Sequence, residues 1–98
     1  MGANSMKFMV YTRDKDGALD IRTANRDAHL AFLRGESDVQ VISAGPWLSN
    51  DGVMVGSLLV VEAGSLEDVK AWNKTDPYVL AGLTGEVTIH PLGGWMDF

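Results

Sequence analysis

His29, Asp76 and two arginines, Arg22 and Arg26, are the residues of this 98-residue chain whose types and spacing could do chemistry. An imidazole takes a proton from carbon or oxygen, and a carboxylate on its other ring nitrogen fixes the tautomer and stabilises the imidazolium that forms. Guanidinium groups hold an anionic substrate or a developing oxyanion. The stretch RDAHLAFL, residues 26–33, sets His29 inside an otherwise apolar stripe. At roughly 100° per residue, Leu33 lies about 40° to one side of His29 and Phe32 about 60° to the other, so the ring should face the core. Arg22 and Arg26 share that stripe one and two turns earlier, and together with burial they disfavour the imidazolium. Asp76, in TDPYVLAG, is a carboxylate that could orient such a base, with nothing in the sequence alone bringing the two together, and Tyr78 two residues on could offer a hydroxyl to a pocket or simply pack.

Each of these residues also has a plainer role. His29 could be a core histidine with its nitrogens satisfied by backbone. Asp76 followed by proline reads as N-cap and N1 of a short helix that Gly82 ends. The arginines could be solvated residues at a helix start, where their charge opposes the helix dipole. His90 falls in register with Glu86 and Thr88, opposite Val87 and Ile89, and reads as a surface or dimer-face residue.

These residues must be positioned by elements. KFMVYTR (7–13) reads as a strand, RTANRDAHLAFLR (22–34) as a helix stopped by Gly35, and DVQVISAGPW (38–47) as a second strand. LSNDG (48–52) has hairpin chemistry, and VMVGSLLVVEA (53–63) is the third strand. SLEDVKAWNK (65–74) opens with a capping serine, Ser65, and puts Leu66, Val69 and Trp72 on one helix face. Residues 76–83 form a turn or short helix, and EVTIHPLGGWM (86–96) reads as the last strand. The order is βαββαβ, an α+β ferredoxin-like arrangement with a four-stranded antiparallel sheet and both helices on one face. In the third strand Leu59 and Val61 point one way while Leu58 and Val60 point the other, so both faces are apolar. Two helices cover one face only. The other is expected to meet the same face of a second copy, giving a homodimer.

Composition narrows the partners. The net charge is −5 with eight basic residues that form no stripe, which argues against nucleic acid. No apolar run is long enough to span a bilayer, and MGANS shows no basic stretch leading into an apolar one, so neither a membrane partner nor a secretory leader is expected. With no cysteine there is no disulfide, thiol nucleophile or thiolate metal site, and a cytoplasmic setting is the default. Two histidines without ligand spacing, and no phosphate loop or nucleotide fingerprint, give no metal and no organic cofactor. Residues 6–98 read as a single domain, with 1–5 a tag remnant or disordered N-terminus.

The runs RxxxRxxHLxFL (22–33), SAGP (43–46), GSLLVVEA (56–63), WxxxDPYVxAGL (72–83) and VTIHPL (87–92) resemble the YciI-like (YCII-related) family, over nearly everything from Met6 to Pro91. That resemblance implies a dimeric α+β barrel, with ferredoxin-like subunits packed sheet to sheet. It also implies an active-site histidine and aspartate, which match His29 and Asp76. A related enzyme removes chloride from a chlorinated hydroxyhydroquinone. The expectation is therefore a cofactor-independent lyase or isomerase that performs proton abstraction, elimination or isomerisation on a small oxygenated cyclic or aromatic acid. His29 would be the base, Asp76 its orienter, and Arg22, Arg26 and Tyr78 the contacts to a small organic anion. The alternative is a non-catalytic small-ligand-binding or interaction module that uses the same barrel cavity.

Overall fold

Alternation along Phe8, Val10 and Thr12 gives β1 a core-facing side, and the computed structural model, which describes residues 5–98, buries all three. The expected tag remnant or disordered start lies, for residues 1–4, outside the described residues. β1 (Met6–Asp14) is followed by α1 (Leu19–Arg34), β2 (Gln40–Leu48), β3 (Met54–Ala63), α2 (Leu66–Asn73), α3 (Pro77–Leu80) and β4 (Thr84–Leu92). The strands form one sheet in the order β2-β3-β1-β4. Every pairing is antiparallel, with Val10 opposite both Leu59 and Ile89. This is the ferredoxin-like arrangement, with the short α3 added after α2.

Two boundaries differ from the sequence reading by more than two residues. α1 begins at Leu19, so Arg22 sits inside its first turn and a half, not at its start. β4 spans Thr84–Leu92 and does not continue to Met96, because Gly93 and Gly94 follow, the latter at φ 62°.

The core lies between the sheet and its helices. Phe8, Val10, Leu59, Val61 and Ala63 on the sheet meet Val69 and Trp72 of α2, with Phe32 of α1 stacked on Trp72 at 4.9 Å. Ser65 caps α2 as expected, its Oγ accepting the Asp68 N–H at 3.1 Å. The opposite face carries Met9, Tyr11, Trp47, Leu58 and Val60, and Leu58 is 43% exposed within one chain. His90 is exposed on this same face, in register with Met9. Trp47 lies flat across β3 and donates its Nε1–H to the Thr12 carbonyl at 2.7 Å. That crossing exists because residue 56 has no side chain: a Cβ there would overlap both Trp47 Nε1 and the Thr12 carbonyl oxygen. No helix among the described residues is long and apolar enough to cross a membrane.

Candidate active site

Residues from four elements meet where α1 packs on α3 and on the sheet. Pro77 follows Asp76 and starts α3 with its φ already set, while the Asp76 carboxylate caps the turn by accepting the Tyr78 N–H at 2.9 Å. The same oxygen, Oδ1, lies 2.9 Å from His29 Nδ1. A carboxylate oxygen only accepts, so this contact assigns the hydrogen of the neutral ring to Nδ1. Nε2 is then the acceptor nitrogen. One carboxylate thus both caps the helix and contacts the imidazole.

His29 and Asp76 are 5% and 4% exposed. Nε2 makes no hydrogen bond among the described residues and is not sealed in the interior, and the His29 side chain lines a cavity. That cavity measures about 280 Å³. Its apolar wall comes from Leu30, Leu33, Pro46, Met54 and Leu59, and its polar groups from Arg22, Arg26, His29, Ser57 and Tyr78. The volume sits near the lower end of the usual range for ligand pockets and suits a single ring.

Arg22 behaves differently from Arg26. Arg22 is buried at 3% exposure and forms a two-pronged pair with Asp14: Nε donates to Oδ2 at 2.8 Å and Nη2 to Oδ1 at 3.1 Å. Nη2 also donates to Ser57 Oγ at 2.8 Å. A buried guanidinium requires such partners, since an unpaired charge there would be costly. Arg26 is exposed at the cavity rim and has no ion pair among the described residues. The structure therefore separates the two arginines. One is tied into the sheet, while the other is free to meet an anion.

Tyr78 fills the gap between the first and the last of these helix residues. Its ring stacks on His29 with centroids 3.8 Å apart and planes 12° apart, and the Arg22 guanidinium carbon lies 4.7 Å from its centroid. Seven residues of helix rise about 10.5 Å, enough to admit one aromatic ring between side chains at 22 and 29. Burial pushes the Tyr78 phenol above its usual range, against the opposing pull of Arg22 and Arg26.

All five residues singled out from the sequence thus line or adjoin one cavity. Asp14 and Ser57 were missed, and a signal existed for Asp14. It shares the core-facing side of β1 with Phe8, Val10 and Thr12, and a carboxylate in that register demands a buried cation.

Comparison with known proteins identifies the family and the fold. The sequence model of the YCII-related domain matches residues 6–93. Protein YciI of Escherichia coli O6:H1 (strain CFT073) is 38% identical, across 88% of this chain and 95% of that protein. An uncharacterized protein of Haemophilus influenzae is 29% identical over the same shares. Among solved structures, 5-chloro-2-hydroxyhydroquinone dehydrochlorinase from Burkholderia phenoliruptrix AC1100, in complex with 2,5-dihydroxybenzoquinone, superposes with a TM-score of 0.73 at 32% identity. The match covers 87% of this chain and 91% of that one. A dimeric protein of unknown function with a ferredoxin-like fold from Bacteroides fragilis matches at a TM-score of 0.57 and 18% identity, over 91% of this chain and 95% of that chain, a likeness of fold.

Proposed function

The chain belongs to the YCII-related domain family, and from that premise we propose that it is a small-molecule enzyme in which His29 is the general base and Asp76 its orienter. The observation that carries this reading is the 2.9 Å contact from Nδ1 to Oδ1, in a histidine that lines a cavity the size of one ring and whose Nε2 has no partner among the described residues. The substrate class is a small oxygenated cyclic or aromatic acid. Arg26 meets its anionic group at the rim, Arg22 and Tyr78 line the wall beneath, and no organic cofactor or metal takes part.

In the reaction His29 Nε2 takes a proton from a C–H or O–H of the ring, and the bonding pair stays on the substrate, delocalised onto its oxygens. In an elimination that pair expels a leaving group as its anion. In an isomerisation the imidazolium returns the proton to a different carbon. Asp76 stabilises the imidazolium in both cases. The dehydrochlorinase likeness supports this class of chemistry, since its named reaction is loss of chloride from a hydroxylated ring. The apolar outer face of the sheet supports a homodimer joined through that face, and the dimeric Bacteroides relative is in keeping with it.

A panel of single-ring substrates led by 5-chloro-2-hydroxyhydroquinone tests the reading. His29→Gln is expected to lower turnover by about 10²- to 10⁴-fold, the usual worth of a positioned general base. Asp76→Asn retains the cap, because asparagine caps as well as aspartate, so the melting temperature should hold while turnover falls. Turnover that survives both substitutions overturns the dyad. Tight binding with no turnover in any variant replaces it with a non-catalytic ligand-binding module.

A further inference from the structure

Tyr78 is 4% exposed, yet its hydroxyl has no hydrogen-bond partner among the described residues, and it is not sealed inside the protein. A buried phenol normally finds a partner, so one that reaches a cavity without one is a donor awaiting an acceptor. The ring cannot turn away freely. His29 stacks on it, Arg22 lies against it, and Asp14 and Ser57 hold Arg22 in place. The backbone N–H of Tyr78 is fixed by the oxygen that also orients His29, so the two side chains share one anchor.

Resting on the general-base reading above, we propose that the Tyr78 hydroxyl is the oxyanion donor of the site: it hydrogen-bonds the ring oxygen that gains negative charge as His29 Nε2 removes the proton. The substrate is thereby narrowed to enols, phenols and ring ketones, in which the proton lost and the oxygen that becomes charged belong to one conjugated system. One hydrogen bond forms to that oxygen and strengthens as charge develops. The phenol proton stays on Tyr78, and the proton abstracted stays on His29 until it is returned or passed to water. Burial favours the protonated phenol, the form that can donate. Arg26, at the rim, neutralises the far end of the bound anion and is not part of this contact.

Tyr78→Phe tests the assignment, since it removes the hydroxyl and keeps the stacked ring. With 2,5-dihydroxybenzoquinone as probe, the wild type is expected to bind. Tyr78→Phe should bind about 10- to 100-fold more weakly with an unchanged melting temperature, the effect of one lost hydrogen bond to a charged oxygen. His29→Gln, measured alongside, reports on the site itself. If Tyr78→Phe binds as tightly as wild type while His29→Gln is weakened, the donor role is overturned and the general-base reading stands. If the wild type does not bind the probe, the Tyr78 assignment falls, and the general-base reading is decided separately by turnover on the substrate panel. Should Tyr78→Phe fail to fold, the hydroxyl proton of Tyr78 in the wild type is followed by NMR. A downfield shift on adding the probe supports the contact, and an unmoved resonance in the bound state refutes it.

Discussion

One oxygen of Asp76 accepts from the Tyr78 backbone and from the His29 ring, so a single atom ties helix capping to imidazole orientation. The economy is local, and so is its weakness, because any change at 76 that keeps only one of the two bonds disturbs the other group. Tyr78 adds a pH dependence at the same scale. Its phenol titrates higher in the folded chain than in the unfolded one, where the usual value is about 10. The stabilisation from keeping it neutral is complete below about pH 10 and is lost as pH rises through the raised folded value. Thermal melts from pH 8 to 12 should therefore show a steeper alkaline fall for wild type than for Tyr78→Phe. Tyr11 is present in both, so its titration cancels. Parallel curves would mean that Tyr78 is not held in its protonated form by the fold.

At the scale of elements, the crossing of Trp47 over β3 is the contact most sensitive to a single atom. Trp47 stacks on Tyr11 at 5.3 Å and has the Arg13 guanidinium 4.8 Å from its ring, and all of this passes over Gly56. Gly56→Ala is expected to destabilise by about 1–3 kcal/mol, as overpacking does, since the added methyl collides with a ring nitrogen and a backbone carbonyl that are bonded to each other. Denaturant unfolding measures it; a loss under about 0.5 kcal/mol would show that Trp47 can swing aside. The elements themselves were legible because period-2 burial in the strands and Ser65 as a cap are local signals. The pair of His29 and Asp76 was legible only through family resemblance, because 47 positions separate them and no local periodicity reports a contact between α1 and the turn before α3. The tie between Arg22 and Asp14 was missed for a related reason. An arginine near a helix start looks solvated until the strand beside it is known to present a carboxylate to the core.

At the scale of the whole molecule, the sheet has one face under helices and one face carrying Met9, Tyr11, Leu58 and Val60. Leu58 is 43% exposed there, so this outer face is where the proposed second copy would sit. Light scattering at micromolar concentration is expected to give a dimer, and the melting temperature should rise with protein concentration. Leu58→Glu should yield a monomer with its helices and core intact. A wild-type monomer would remove the sheet-face interface from the account. The site has its own whole-molecule property. Asp14 comes from β1, Arg22 and His29 from α1, Ser57 from β3, and Asp76 and Tyr78 from the α3 turn. No fragment shorter than most of the chain can assemble the cavity, so occupancy and global folding are thermodynamically one transition. A ligand at a hundredfold over its dissociation constant adds about 2.7 kcal/mol to the stability of the entire domain. For a chain of this length that is a rise on the order of 10 °C in melting temperature. A compound that occupies the proposed site can therefore be found by heating the protein with candidates, before any turnover is measured.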